Sequence, residues 1–169
     1  MNEPDTIPID PKTGYLPTYE GCVICGDKTI NPHTLGIRFR VTEKGVETSF
    51  VPDPRQEGYK NIVHGGIASA LLDETIGWAC AYERKKYFMT VELTIKFLKP
   101  FPIGTPVTVT GRATKHSTRF SEGEGEITDA NGTVYSKAFA RYFIVSDPQT
   151  KLVNDYLTFH KDDIDILKE

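Results

Sequence analysis

Between Gly66 and Tyr82 runs a segment whose apolar residues leave almost no face for water. Ile67, Ala70, Leu71 and Trp78 recur at helical spacing, while Ala68, Leu72, Ile76 and Ala79 fill much of the remaining circumference. With no β-branched run in its first turns the segment reads as a helix, and a helix apolar on nearly all sides has to be surrounded by protein. Its most apolar part, Ile67 to Ala81, is interrupted by Asp73 and Glu74 and is too short to cross a bilayer. The rest of the chain therefore has to wrap it.

What remains reads as strands. Ile37, Phe39 and Val41 alternate with Arg38 and Arg40, Lys44-Gly45 turns the chain into Val46 to Val51, and Pro52 and Pro54 open a loop to about Val63. After the helix, Val91, Leu93, Ile95 and Phe97 alternate with Glu92, Thr94 and Lys96. Val107, Val109 and Ala113 alternate with Thr108, Thr110 and Arg112. Phe120 to Thr128 and Val134 to Val145 are the last two strands, joined through the turn Asp129-Ala130-Asn131-Gly132. Consecutive strands on short connections form an antiparallel sheet. The expected fold is α+β: an antiparallel sheet of about six strands wrapped around one long buried helix. Gly123 with Gly125, and Ser136 with Ala138 and Ala140, supply strand faces small enough for a helix to come close. The opposite face of the last strand shows Tyr135, Phe139 and Phe143 beside Lys137 and Arg141. Aromatics on the outside of a single-layer sheet point to a second subunit, so a homodimer or dimer of dimers is expected.

At 169 residues the chain suits one domain. Residues 1–20, with Pro4, Pro8, Pro11 and Pro17 among polar neighbours, read as an extended N-terminal arm, residues 21–145 as the domain and residues 146–169 as a polar tail. Within that tail Tyr156, Leu157 and Phe159 are candidates for a short docked helix. A net charge of −3 argues against nucleic acid as a partner. No signal peptide or membrane span is visible, and three cysteines, an odd number, suit a reducing, cytoplasmic setting better than a disulfide framework.

Chemistry concentrates around the helix start. His64-Gly65-Gly66 sits where the loop enters it, and two glycines there either permit a tight turn or let backbone N–H groups reach a ligand. Such donors, with the positive end of the helix dipole, suit a developing oxyanion. Asp73 lies about two turns on, and a carboxylate within an apolar helix costs several kcal/mol unless paired or used. As a general base it would activate water, and as a nucleophile it would attack directly. Glu74 is rotated from it by about 100°, so the two acids point to different places. A basic partner or solvent is the favoured fate of Glu74.

Asn61-Ile62-Val63-His64-Gly65-Gly66, followed by Leu71-Leu72-Asp73-Glu74, resembles the active-site stretch of hotdog-fold thioesterases of the phenylacetate-pathway and thioesterase-superfamily-member type. Val91 to Pro100 is similar to the strand after the helix in that branch, and Gly111-Arg112 and Asn131-Gly132 fall where its later strands begin and turn. The resemblance covers roughly Cys22 to Val145. It implies hydrolysis of an acyl-CoA thioester without a cofactor, Asp73 being the catalytic carboxylate, Gly65 N–H the oxyanion donor, and His64 the residue orienting that loop. It further implies that Thr90 holds the attacking water and faces Asp73 of a partner chain. Gly66 and Glu74 join the substrate site on the same grounds. The branch often carries Asn or Gln before the histidine, near the thioester carbonyl. Glu57 and Gly58 stand at those places here, with Gln56 and Asn61 as the nearby amides, and Glu57 is expected to turn away.

Arg112, Lys115, His116 and Arg119 form either a solvated basic edge or, for Arg112, Lys115 and Arg119, a contact for the phosphates of coenzyme A. Cys22-Val23-Ile24-Cys25 is a CxxC, but a structural zinc needs four ligands and only His33 and Cys80 stand out as supplements. Packing is the default and no metal is expected. A non-catalytic acyl-CoA-binding protein is the rival reading, since fold alone does not decide function. A hydratase would want a helix histidine after the acid, where this helix has Trp78.

Overall fold

In the computed structural model, which describes residues 14–168, helix α1 occupies Gly65–Arg84, slightly longer at both ends than the sequence pattern predicts. His64 caps its start in extended geometry, and Lys85 ends it in the left-handed region at φ 54°. Leu71, Leu72, Thr75, Ile76 and Cys80 are fully buried, so the side of the helix turned to the sheet is enclosed, while Ile67, Ala70, Asp73, Glu74 and Gly77 on the other side stay partly exposed within one chain. Residues 1–13 of the expected arm lie outside the described residues.

The wrapping sheet has six strands: β1 (Arg40–Thr42), β2 (Gly45–Phe50), then β5 (Phe88–Phe97), β6 (Val107–His116), β7 (Phe120–Asp129) and β8 (Val134–Ile144). Their spatial order is β1-β2-β6-β7-β8-β5, antiparallel throughout. This is the hotdog arrangement. Strands β3 (Glu57–Tyr59) and β4 (Ile62–Val63) form a small separate ribbon just before the helix. A second helix, α2 (Asp147–Asp155), starts at a capping box in which Ser146 and Gln149 satisfy each other's backbone N–H groups.

Glycines set how deeply α1 sits. A Cβ at Gly111 of β6 would lie 2.8 Å from the Thr75 carbonyl carbon and 2.9 Å from the Ile76 nitrogen, both helix backbone. On β7, Gly123 and Gly125 leave room for the Ile76 side chain, which a Cβ would meet at 2.5 and 2.9 Å. The helix thus rests almost directly on the backbone of the central strands.

Two sequence expectations shift here. The alternation through Ile37, Phe39 and Val41 holds in burial, yet the strand ladder begins only at Arg40. Upstream of it the chain bonds to loops instead, Ile37 N–H to the Ile24 carbonyl and Leu16 N–H to the Phe39 carbonyl, 2.9 Å each. Tyr135, expected on the outer face with Phe139 and Phe143, is buried. The pairing slips between Ile127 and Thr128, which face Ser136 and Val134, so Tyr135 is an extra residue that breaks the alternation. Its ring stacks on Phe101 at 5.2 Å and its hydroxyl donates to Asp129 at 2.9 Å. Phe139 and Phe143 do face outward.

Strand β5 is a sheet edge, and Met89, Val91, Phe97 and Leu98 are more than half exposed along it. The far edge at β1 is partly covered, since Val41 N–H donates to the Gly14 carbonyl at 2.9 Å and Tyr15 bridges Arg40. Among the described residues no helix is long and apolar enough to cross a membrane. Gly111→Val is expected to lift α1 off β6 and cost about 2–3 kcal/mol in chemical denaturation. An unchanged midpoint and slope would show that the helix does not depend on that contact.

Candidate functional site

The entry to α1 is built by the ribbon. His64 N–H donates to the Gln56 carbonyl at 2.8 Å and Val63 N–H to the Phe101 carbonyl at 2.8 Å, which fixes where the helix begins. The His64 ring turns back so that Nδ1 accepts the Gly66 N–H at 2.9 Å. That bond takes the Gly66 donor and leaves the Gly65 N–H, at the first helical position, with no acceptor among the described residues. Close by is the Phe97 ring, 3.2 Å from where a Gly65 Cβ would stand.

Two turns further, Asp73 is held by two hydroxyls from two strands. Thr90 Oγ1 of β5 lies 3.0 and 3.2 Å from its carboxylate oxygens. Tyr142 of β8 donates to the Asp73 carbonyl at 2.8 Å and sits 3.2 Å from Oδ1. Burial raises the Asp73 pKa from its ordinary value, while the Thr90 and Tyr142 hydroxyls act against the rise by stabilising the anion. Burial and the Asp73 charge push the Tyr142 phenol upward, so it stays a donor. Thr90 was expected to face Asp73 of a partner chain; it contacts Asp73 of its own. A bulge in β5 is the reason. Thr90 pairs with Tyr142 but Glu92 with Arg141, so Val91 is an extra residue. It turns Thr90 onto the inner face shared with Leu93 and Ile95, where strict alternation would have turned it outward. Tyr142 is the residue that sequence reasoning missed, although its parity with Ala138 and Ala140 marks it as facing the helix.

Among the described residues Glu74 does not reach a basic side chain. Its carboxylate faces the CxxC turn, with the Cys25 Sγ at 3.7 Å and the Cys22 Sγ at 4.0 Å from Oε1. Burial first, then the neighbouring Cys22 and Asp73, push its pKa up to about 7. Asp73, Glu74, both cysteines, Thr90 and Tyr142 line one cavity of about 270 Å³. Trp78, Tyr87 and Phe88 form its aromatic wall, and Tyr19, Tyr156 and Leu157 from the two ends of the chain complete it.

The remaining expected site residues stand apart from that cavity. Asn61, in left-handed geometry at φ 62°, forms the turn between β3 and β4, and its N–H donates to Glu57 Oε1 at 3.0 Å. Glu57 is thereby engaged, as is Gln56, whose Oε1 accepts the Asp53 N–H at 2.7 Å. Arg112 is paired with Glu124 across the strands, and Lys115 and Arg119 are exposed at the far end of β6 and its loop. None of Asn61, Gly66, Arg112, Lys115 and Arg119 lines the Asp73 cavity within one chain.

Residues 60–136 match the family model described as thioesterase superfamily. Over 69 residues the chain is 38% identical to acyl-coenzyme A thioesterase THEM5 of Mus musculus, a stretch covering 41% of this chain and 27% of the mouse protein. The match thus spans about a quarter of that relative's length. A solved thioesterase superfamily protein superposes with a TM-score of 0.67 at 24% identity, covering 73% of this chain and 63% of that one. A Streptococcus mutans protein solved with acetyl CoA bound gives 0.60 at 20% identity, covering 65% of this chain and 89% of the other. The fold is shared with these structures.

Tyr142→Phe removes a buried donor from both the carbonyl and the carboxylate of Asp73. It is expected to cost about 1–2 kcal/mol in urea unfolding. A variant as stable as the parent would show that neither acceptor depends on it.

Proposed function

From a thioesterase-superfamily domain that spans residues 60–136 and carries His64, Gly65, Asp73 and Thr90, we propose that this protein hydrolyses an acyl-CoA thioester to a carboxylic acid and free CoA. The observation that carries the reading is the Asp73 carboxylate, fixed by Thr90 and Tyr142 at the wall of an apolar cavity. In the proposed step a water held by Thr90 and Asp73 attacks the thioester carbonyl carbon and its proton passes to Asp73. The oxyanion is held by the Gly65 N–H at the positive end of α1. Collapse breaks the carbon–sulfur bond, and the proton returns from Asp73 to the departing thiolate. Direct attack by Asp73 would instead form an acyl anhydride. Two donors already fixed on the carboxylate support the base role.

A second subunit follows from distance. Gly65 and Asp73 are eight residues apart, about 12 Å along a helix, whereas an attacked carbonyl has to lie within hydrogen-bonding reach of the oxyanion donor and of the activated water together. The exposed apolar edge of β5 supports a second copy of this chain beside it, bringing the partner's helix start to the Asp73 pocket. In such a homodimer Lys115 and Arg119, with Arg112 if Glu124 releases it, are the cations available to CoA phosphates. The likeness in fold to a protein solved with acetyl CoA supports that ligand class.

Asp73→Asn is expected to lower kcat by about 10²–10⁴-fold while circular dichroism stays that of the parent. Full activity on every acyl-CoA accepted by the parent would sink the assignment. Because Asp73 acts ionised and burial raises its pKa, kcat/KM should fall on the acid side through a value above that of a free aspartate. Thr90→Val and Tyr142→Phe, by removing donors to the anion, should move that limb to higher pH; no movement in either contradicts the base role.

Gly65 offers a sharper test. Proline suits the first helical position, and His64, at φ −60° and ψ 134°, already has the conformation a following proline requires. Both Gly65→Pro and Gly65→Ala bring a Cβ against the Phe97 ring, but only proline deletes the N–H, so kcat should drop by about 10²–10³-fold further in Gly65→Pro than in Gly65→Ala. Equal losses in the two variants would remove Gly65 from the oxyanion role.

A further inference from the structure

Hydrolysis makes no use of the CxxC turn, yet the fold presses that turn against α1. The Cys22 Sγ, the Cys25 Sγ and a carboxylate oxygen of Glu74 all lie within 4.8 Å of one another. A tetrahedral zinc, with bonds of about 2.3 Å to sulfur and about 2.1 Å to oxygen, sets sulfur–oxygen edges at about 3.6 Å. Here those edges are 3.7 Å for Cys25 and 4.0 Å for Cys22. On these two edges the sulfur and oxygen atoms need to close by only a few tenths of an ångström.

The surroundings favour a cation. Among the described residues no lysine, arginine or histidine forms an ion pair with Glu74, and the donors that reach its carboxylate, the Cys25 thiol and the Trp78 indole, are neutral. A largely buried carboxylate beside two thiols therefore lacks a counter-charge. The backbone meanwhile wraps the first sulfur, with the N–H groups of Ile24 and Cys25 both donating to Cys22 Sγ at 3.3 Å. Such donors orient a thiolate ligand and disperse its charge. All three groups border the 270 Å³ cavity, which leaves a fourth position open to water. Two sulfurs with a carboxylate suit zinc better than calcium or magnesium, which prefer oxygen alone.

We propose that Cys22, Cys25 and Glu74 bind one zinc ion, which clamps the loop carrying the CxxC turn to α1 directly beside Asp73. Binding releases the protons of both thiols to solvent and changes no oxidation state. The ligand that completes the CxxC pair is neither His33, which is exposed, nor Cys80, which is buried under Gly123. It is the helix acid next in sequence to Asp73. The inference does not rest on the thioesterase reading, and its readout is not activity.

The test uses the full chain, reduced and stripped with a chelator, then titrated with Zn²⁺ or Co²⁺ under anaerobic conditions. One equivalent of zinc per chain is expected, with Cys22 and Cys25 protected from alkylation by iodoacetamide and a thiolate-to-metal charge-transfer band in the cobalt form. Cys22→Ser/Cys25→Ser should abolish binding, and Glu74→Gln should weaken it by about 10–100-fold, with folding of each checked by circular dichroism. The alkylation measurement needs only the parent protein, so it stands even where a variant does not fold. Absence of binding by the reduced parent, zinc that leaves both thiols open to alkylation, or unchanged affinity in either folded variant would each overturn the proposal.

Discussion

A largely apolar helix cannot carry two adjacent, half-buried acids at no cost, and the rest of the molecule is arranged around that fact. Asp73 and Glu74 leave α1 in different directions, and each is answered by different parts of the chain. The sheet answers Asp73 with hydroxyls from β5 and β8. The loop that carries Cys22 and Cys25 answers Glu74 with two thiols. Neither acid is matched by a formal positive charge among the described residues, so both remain chemically available instead of being locked in ion pairs.

That arrangement depends on how close the helix comes to its floor. Gly111, Gly123 and Gly125 let α1 settle onto the backbone of β6 and β7, and the depth of that seating places Asp73 level with Thr90 and Tyr142. A side chain at Gly111 would raise the helix, and the hydroxyls on β5 and β8 would no longer meet the carboxylate together. Packing and site geometry are in this sense one constraint.

Much of this was legible in the sequence. The sheet-wrapped helix, the six strands and the small residues beneath the helix follow from periodicity, because burial imposes the same alternation wherever strands pair regularly. What escaped was irregular or remote. The extra residues Val91 and Tyr135 break the alternation, and a bulge is set by the partner strand, which a single sequence does not display. Thr90 is therefore reached only through family resemblance, and within one chain it meets Asp73. For Glu74 single-residue reasoning offers only a basic partner or solvent, whereas its neighbours Cys25 and Cys22 lie 49 and 52 positions away. Tyr142 was within reach, sharing parity with Ala138 and Ala140 on the face turned toward the helix.

The cavity beside Asp73 has a roof that does not come from the helix-and-sheet unit. Thr18 bridges Thr158, and Tyr19 meets Tyr156 with ring centroids 5.4 Å apart, so the start and the end of the described chain are laced together over the opening. Both segments lie outside residues 60–136. Asp73 and Thr90 lie within the residues that match the thioesterase-superfamily model, while the ceiling is built from chain that the match does not reach. The roof of the cavity and its reactive acid are thus written in separate stretches of sequence, and the ends can be re-cut to admit a different occupant with no residue of the Asp73–Thr90–Tyr142 cluster altered.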